Sequence, residues 1–479
     1  MTYKITKIAS ILGVKNANLI ESEISTLLID SRRLSGSPSH TLFFALETKN
    51  NDGHSFITEL YSAGVRNFVV SKRLPEWENL PGSNFLYVKN TLRALQKLAA
   101  YHRSRFDIPV IGITGSNGKT IVKEWLYRLL QDNFNIVRSP RSYNSQVGVP
   151  LSVWELDDTT ELGIFEAGIS MPDEMGYLEP IIRPTIGILT KIGEAHQENF
   201  TSLQQKCMEK MTLFVNCNVV IYDEDNDLIS RCADMMLLSQ KAFSWSRKRS
   251  DAPLYISKIE LHEKKTTIHY SFLRFEHSVD IPFIDDASIE NAIHCLAVLL
   301  FLGIHPEEIS KRMMLLEPVA MRLDVRQGKN NCIIINDTYN SDVNSIKIAL
   351  DFQNQRKMDR PMKKTVILSD ILQTGIMPKS LYKRVAEMVE QSGVDKLIGI
   401  GHDISDNAGA FKMEKQFFPS TEAFIKSGIW RNFNNELILV KGAREYHFEQ
   451  ITALIEERIH ETVMEVDLDA VVHNFNFYK

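Results

Sequence analysis

The sequence has few cysteines and places no two of them in a C-x-x-C pair. Five cysteines in 479 residues indicate neither a zinc site nor a disulfide framework, so we expect a reduced, cytoplasmic protein. The chain also lacks an apolar run of about 20 residues, and Met1–Lys7 lacks the apolar core of a signal peptide. We therefore expect no membrane insertion.

An excess of basic charge is lacking as well. The formal net charge is −5, and the longest uninterrupted basic run is Arg247-Lys-Arg249, which is typical of a solvated loop. This balance argues against a nucleic-acid partner. An apolar content of 44% and a charged content of 24% are typical of a globular protein, and the length suggests about three domains.

A phosphate-binding loop is present early in the chain, where Gly-Ile-Thr-Gly-Ser-Asn-Gly-Lys-Thr separates an apolar strand from a helical stretch. Gly115 and Gly118 allow backbone N–H groups to approach an anion, Lys119 supplies a charge, and the Thr120 hydroxyl can reach Mg²⁺. The usual first glycine of a P-loop would fall at Ile113, so this is a shorter form. A glycine-rich turn before a helix is the alternative, but the full combination favours an ATP-using enzyme.

Strands and helices alternate after this loop. Helices are predicted from Thr91 and over Asn291–Leu300, and strands at 162–165, 186–189, 219–222, 333–335, 366–368, 396–400 and 437–440. The alternation predicts an α/β fold with a mostly parallel, doubly wound sheet. We expect domains at 1–90, 91–316 and 317–460, followed by a terminal segment, 461–479.

Three polar residues of the central block accompany predicted strand ends, where α/β sheets place their ligands. Glu166 follows one strand, His196 follows another, and Lys210 lies on the helix beyond. Each alone has an ordinary interpretation as a helix cap, a loop histidine or a surface charge.

Together with the P-loop, these residues resemble the Mur ligases, ATP-dependent amide-forming enzymes of peptidoglycan precursor synthesis. The resemblance is to the MurF type, which joins UDP-N-acetylmuramoyl-tripeptide to D-alanyl-D-alanine. Its motifs occur in the family's order at Asp30-Ser-Arg32, Leu42–Leu46, Asn51-Asp-Gly-His54, Ser142–Pro150, Asn336–Asn340, Leu368–Gly375 and Val440–Arg444.

The resemblance implies a three-domain α/β architecture. A central P-loop parallel-sheet ATPase domain would be flanked by an N-terminal UDP-sugar-binding α/β domain and a C-terminal Rossmann-like α/β domain. It also implies that the substrates are ATP, the UDP-linked tripeptide and D-Ala-D-Ala. We expect this fragment to be a monomer.

Residue roles follow from the same resemblance. The implied ATP-binding residues are Thr114, Gly115, Ser116, Asn117, Gly118, Lys119, Thr120, Asn291, Arg322 and Asp337. The implied substrate-binding residues are Ser31, Arg32, Asn144 and Ser145. Of two Mg²⁺ ions, one would be bound by Thr120 and Glu166 and the other by His196 and a carbamoylated Lys210. Lys119, Glu166, His196 and Lys210 are the implied catalytic residues.

Some positions depart from the family pattern, which commonly has His-Asn, Asn, Glu and Gly at Ala287-Ser288, Lys191, Gln373 and Met321, respectively. Three alternatives stay open: the Mur ligase that adds the third amino acid, a folylpolyglutamate synthase, and a P-loop module without catalysis. The chain has no Asn-Pro-Arg sequence, which argues against the first, and Asp30-Ser-Arg32 favours a UDP-sugar module over the second.

The last residues, Met464–Lys479, resemble the opening of alanine racemase, a pyridoxal-phosphate enzyme, although an amphipathic helix is the alternative. This resemblance implies a racemase stub in a truncated fusion, without racemase activity and without pyridoxal phosphate. We expect disorder from about residue 462.

Overall fold

Short apolar runs rich in Ile and Val form most of the parallel strands of this protein, and amphipathic stretches between them form most of the helices. The computed structural model describes residues 1–14, 19–34, 36–48, 51–75, 77, 80–193, 197–319, 324–338, 342–355, 361–372 and 376–457. His196, Met321, Arg322, Gln373 and the racemase-like segment lie outside these residues.

The strands of the described residues are β1 (Tyr3–Lys4), β2 (Glu23–Ile24), β3 (Thr26–Leu28), β4 (Thr41–Phe44), β5 (Asn67–Val70), β6 (Asn84–Tyr87), β7 (Val110–Thr114), β8 (Ile136–Arg138), β9 (Leu162–Glu166), β10 (Ile186–Leu189), β11 (Val219–Ile221), β12 (Trp245–Ser246), β13 (Leu254–Leu261), β14 (Thr266–Phe272), β15 (Phe275–Ile281), β16 (Asp324–Gln327), β17 (Ile333–Asp337), β18 (Lys363–Ser369), β19 (Lys396–Ile400), β20 (Glu414–Phe418) and β21 (Glu436–Lys441).

The α-helices are α1 (Ile5–Leu12), α2 (Ile57–Ser62), α3 (Thr91–Arg103), α4 (Lys119–Leu130), α5 (Gly148–Trp154), α6 (Met175–Ile182), α7 (Leu203–Met211), α8 (Asp227–Met235), α9 (Asp286–Phe301), α10 (Pro306–Met313), α11 (Val343–Gln355), α12 (Pro378–Gln391), α13 (His402–Asp406), α14 (Thr421–Ser427) and α15 (Glu449–Ile455). No helix among the described residues is both long enough and apolar enough to cross a bilayer.

The described residues form two compact units. The first is built from residues up to Val319 together with Asp342–Ile348 and Ile376, and the second from the rest of the described chain. Within the first unit, a parallel sheet has the order β3-β4-β5-β6, and a separate pair joins β1 to β2.

A parallel five-stranded sheet with the order β11-β10-β7-β9-β8 forms the centre of the first unit. Helices α4 and α9 contribute to the apolar core on one of its faces, and α5, α6, α7 and α8 contribute to the core on the other. Burial on both faces explains why these strands are continuous apolar runs in the sequence. Strand β7, which leads into the P-loop, lies in the middle.

A further sheet in this unit was not predicted. It has the order β12-β13-β14-β15 and is antiparallel except for the β12–β13 pair. In β14, the buried Ile268 and Tyr270 alternate with the less buried Thr267 and His269, so a period of two residues was present in the sequence. It is weaker than the continuous apolar signal of the parallel strands.

The second unit contains a six-stranded sheet with the order β16-β17-β21-β18-β19-β20, in which only the β16–β17 pair is antiparallel. Strands Ile186–Leu189 in the first unit and Lys396–Ile400 in the second have the bounds that the sequence predicts. The predicted α/β fold class is confirmed.

Candidate active site

The P-loop lies between the carboxyl end of β7 and the first turn of α4. Gly115 has φ 147° and Gly118, which caps α4, has φ 87°, both in a region that favours glycine. A Cβ on Gly115 would stand 2.0 Å from Thr190 Oγ1. Thr190 also donates to the carbonyl of Asn117 at 2.6 Å, which ties the loop to the end of β10.

Lys119 and Asn117 supply side-chain N–H donors to this loop. Lys119 Nζ donates to the carbonyls of Gly115 at 2.8 Å and Ser116 at 3.2 Å, so its ammonium folds back over the loop. Asn117 Nδ2 is buried and makes no hydrogen bond. A buried amide donor without a partner is costly, and an anion bound at the loop would satisfy it.

The carboxylate of Glu166 ends β9 and is fully buried. Thr120 Oγ1 donates to Glu166 Oε2 at 3.1 Å, and Asn144 Nδ2 donates to the same oxygen at 3.4 Å. Glu166 Oε1 accepts no hydrogen bond but forms a buried ion pair with Lys123 Nζ at 3.2 Å. The structure thus brings together the P-loop threonine, the strand-end carboxylate and the predicted substrate loop.

Lys210 lies in the last turn of α7, with 3% of its surface exposed. Burial, with the nearby ammonium groups of Lys119 and Lys206, lowers the pKa of Lys210 well below its ordinary value. The side chain of Lys210 makes no hydrogen bond or ion pair within the described part of the chain. One turn earlier, Lys206 is equally buried and donates to the carbonyl of Gly193, just before the undescribed segment that contains His196.

Asn291 and the residues around it lie beside the P-loop at the start of α9. The position of a Cβ on Gly118 would be 2.4 Å from Asn291 Oδ1. Glu290 Oε2 pairs with Lys191 Nζ at 3.3 Å, and the carbonyl of Lys191 accepts the N–H of Ser116 at 2.8 Å. Two of the positions that depart from the family pattern lie here: Lys191 pairs with Glu290, and the backbone N–H of Ser288 donates to Asp285 Oδ1 at 2.8 Å in the first turn of α9.

Asp337, the predicted ribose-binding residue, ends β17 in the second unit. Its Oδ2 accepts from Lys441 Nζ at 2.7 Å, and the two residues are register partners on adjacent parallel strands. Both are buried. A carboxylate at the carboxyl end of a parallel strand occupies the edge where such sheets bind ligands.

The predicted substrate residues of the N-terminal block lie in a short 3₁₀ turn, Ser31–Arg33. The exposed Arg32 forms a bidentate pair with Asp30, with both N–O distances 2.9 Å. The neighbouring Arg33 donates to the hydroxyl of Tyr143. This contact joins the N-terminal turn to the predicted substrate loop.

Within that loop, Ser145 Oγ accepts the N–H of Gly148 at 3.1 Å, and the Asn144 carbonyl accepts the N–H of Gly168 at 2.8 Å.

Sequence reasoning missed Lys123, Lys206 and Arg33. Lys123 falls between the buried Val122 and Trp125 on α4, and a lysine inside an apolar stripe was the available signal. Arg33 follows the predicted Ser31 and Arg32 directly, but its contact with Tyr143 joins residues far apart in the chain and had no local signal.

Residues 113–299 match the Mur ligase middle domain. A relative from Rickettsia prowazekii (strain Madrid E), UDP-N-acetylmuramoyl-tripeptide–D-alanyl-D-alanine ligase, is 30% identical over 427 residues, which cover 86% of this chain and 91% of the relative. A relative of that name from Bacillus subtilis (strain 168) is 26% identical over 456 residues, 91% of this chain and 94% of the relative.

In fold, the chain is similar to a crystal structure of MurF from Acinetobacter baumannii, with a TM-score of 0.80 and 22% identity, covering 95% of this chain and 98% of that one. The chain belongs to the UDP-N-acetylmuramoyl-tripeptide–D-alanyl-D-alanine ligase family, the MurF type of the Mur ligases.

Proposed function

We propose that this protein ligates D-alanyl-D-alanine to UDP-N-acetylmuramoyl-tripeptide at the expense of ATP, in peptidoglycan precursor synthesis. Membership of the MurF family supports the substrates. The observation that carries the chemistry is the contact of Glu166 Oε2 with Thr120 Oγ1, which follows Lys119 in the P-loop.

The residues present fit a Mg²⁺ ion. Mg²⁺ takes oxygen ligands octahedrally at 2.0–2.1 Å, which places adjacent ligand oxygens about 2.9 Å apart. The 3.1 Å between Thr120 Oγ1 and Glu166 Oε2 is close to that edge length. We assign these two atoms to one Mg²⁺, which when bound would offset the negative charge of the phosphates and the substrate carboxylate.

The reaction needs activation because a carboxylate is a poor electrophile. Transfer of the γ-phosphoryl group of ATP to the tripeptide's terminal carboxylate gives an acyl phosphate, and attack by the D-Ala-D-Ala amine releases phosphate and forms the amide. In this proposal Lys119 and Asn117 Nδ2 bind the phosphates, and the other P-loop residues from Thr114 to Gly118 contribute backbone N–H groups.

A second Mg²⁺ is assigned to His196 and Lys210, with Lys210 as a carbamate. The proposal for Lys210 is supported by its burial beside two other lysines, because a neutral amine is the form that reacts with CO₂. A carbamate would offer the hard anionic oxygens that Mg²⁺ prefers, whereas an ammonium would repel the ion.

Asn291, Arg322 and Asp337 are assigned to the nucleoside of ATP, and Ser31, Arg32, Asn144 and Ser145 to the UDP-linked substrate. The contact between Arg33 and Tyr143 supports a shared substrate surface, since it joins the Ser31–Arg33 turn to the loop that holds Asn144. We also propose domains at 1–90, 91–316 and 317–460.

We further infer that the protein acts as a monomer in the cytoplasm. The compartment is supported by free, buried thiols at positions 207, 217, 232, 295 and 332, which suit a reducing environment.

The test is phosphate release from ATP across a matrix of UDP-muramoyl peptides and D-amino acids or dipeptides. Release that requires both a UDP-muramoyl tripeptide and D-Ala-D-Ala is the expected result. Release with a UDP-muramoyl dipeptide in place of the tripeptide, or with a folate, would favour another ligase of the superfamily. No release with any peptide, despite ADP binding, would favour a P-loop module without catalysis.

A further inference from the structure

Lys123 is a fully buried lysine that the proposed chemistry does not use. It lies on α4 one turn after Lys119, and its side chain has no exposed surface. Its Nζ donates to the carbonyls of Ser139, at 2.7 Å, and of Arg141. The same ammonium pairs with Glu166 Oε1 at 3.2 Å and with Glu124 Oε1 at 2.9 Å.

Such an arrangement is costly to build. Removing an ammonium from water costs several kcal/mol, and well-packed apolar residues often stabilise a core at least as well as a buried ion pair. The residues next to Lys123 on the buried side of α4 include Val122 and Leu126, so an apolar side chain would suit the helix. The contacts of the ammonium therefore suggest a role in arranging its partners.

The first partner is Glu166, whose two oxygens have different surroundings. Oε1 is held by Lys123, while Oε2 accepts from Thr120 Oγ1 and Asn144 Nδ2. The ion pair with Lys123 fixes the rotation of the carboxylate. Because Oε1 is occupied by Lys123, Oε2 is the oxygen that remains for Mg²⁺.

The second partner is the segment that leads into the substrate loop. Lys123 binds the carbonyls of Ser139 and Arg141, and Arg141 has φ 48°, an unfavourable value for a residue with a side chain. The next residue, Ser142, places its Oγ 3.5 Å from Thr120 Oγ1. One ammonium thus contacts both the metal-site carboxylate and the start of the loop that contains Asn144.

From this geometry we infer that Lys123 is a positioning residue for the ligation. It orients Glu166 toward Mg²⁺ and anchors the loop that carries the substrate-binding Asn144, so that metal binding and tripeptide binding depend on one buried charge. This inference rests on the proposed function, because the roles of Glu166 and Asn144 come from it.

The test compares wild type with Lys123→Met, which keeps most of the length of the side chain and removes the charge. The affinity for ADP is measured by calorimetry in Mg²⁺ and in EDTA. We expect unchanged affinity in EDTA, because the P-loop is intact. The Mg²⁺ gain, defined as the factor by which Mg²⁺ raises the affinity for ADP over that in EDTA, should be about tenfold smaller in the variant than in wild type. The KM for the UDP-tripeptide should rise several-fold, whereas the KM for D-Ala-D-Ala should change less than twofold.

Arg103→Met is the matched control. Arg103 is also a buried cation that donates to carbonyls, those of Ile182 at 2.9 Å and Phe106 at 2.6 Å, but it contacts none of the proposed site residues. It should lower the melting temperature without altering the Mg²⁺ gain. If Lys123→Met does not fold, Lys123→Gln, which keeps one amide donor for a carbonyl, should show the same loss.

A Lys123 variant that keeps the full Mg²⁺ gain and the wild-type KM values would overturn the inference, whatever its melting temperature. The proposed function fails separately: wild-type protein would then show no phosphate release that depends on the UDP-tripeptide and D-Ala-D-Ala, whatever its affinity for ADP.

Discussion

The side chain of Asn291 occupies the space that a side chain on Gly118 would need, with Oδ1 2.4 Å from the position of a Cβ. Because Gly118 also has φ 87° at the cap of α4, this glycine is constrained twice, by backbone conformation and by contact. The relationship fixes α9 against the P-loop and brings the proposed nucleoside-binding asparagine to the proposed phosphate site.

Gly118→Ala should therefore weaken nucleotide binding more than it weakens the fold. The left-handed conformation costs an alanine about 1–2 kcal/mol, and the contact forces either Asn291 or the loop to move. We expect ADP affinity to fall at least tenfold, as measured by calorimetry. Gly176→Ala in α6 is the control, because a Cβ there meets no atom within 4 Å; it should leave ADP affinity unchanged. Equal affinities in all three proteins would contradict this account.

Lys119→Ala should abolish ligation and leave the fold intact. The ammonium is the P-loop's point charge for the transferred phosphoryl group, and loss of one such group costs about 10²–10³ in kcat. Alanine is a good helix former at the first position of α4, so the melting temperature should change little. Phosphate release and thermal unfolding are the measurements. Turnover within tenfold of wild type would remove Lys119 from the mechanism.

Lys210→Ala should also abolish ligation, with or without added bicarbonate, because the variant has no amine to carbamoylate. Binding of ADP in EDTA should persist, since Lys210 is outside the P-loop. Carbon-13 NMR with labelled bicarbonate should detect a carbamate carbonyl in wild type and not in the variant. Normal turnover by Lys210→Ala would show that the carbamate has no role.

The sequence predicted the parts of the fold and site whose signals are local. Ile186–Leu189 is apolar throughout because both sheet faces are covered, and Gly118, Lys119 and Thr120 form one contiguous motif. Lys123 could not be assigned in this way, because its partners at Ser139, Arg141 and Glu166 are brought to it only by the order of the strands. The antiparallel sheet was missed because its strands are half exposed and lack a continuous apolar run.

A buried histidine outside the site gives the protein a predictable response to acid. His102 is 1% exposed on α3, with Nδ1 2.8 Å from the hydroxyl of Tyr3 and Nε2 2.9 Å from the carbonyl of Leu156. Burial lowers its pKa from 6.5 to about 4. Protonation therefore favours the unfolded chain, in which the imidazole regains its ordinary pKa.

The stability that depends on neutral His102 is complete above about pH 6.5 and is lost as the pH falls from 6.5 toward 4. The difference between the two pKa values corresponds to on the order of 3 kcal/mol. The expected result is a fall in melting temperature between pH 7.5 and pH 5.0 that is larger in wild type than in His102→Gln, which cannot titrate.

His447→Gln is the control for this comparison. Its side chain is 61% exposed and takes no part in the contacts of His102 with Tyr3 and Leu156, so the wild-type fall in melting temperature should be retained. Other groups titrate over the same range and contribute to all three proteins, which is why the difference between proteins, rather than any single profile, isolates His102. If the melting temperatures of wild type and His102→Gln fell by the same amount, protonation of this imidazole would not be coupled to unfolding. The folded protein would then accept a charged His102 at its buried position.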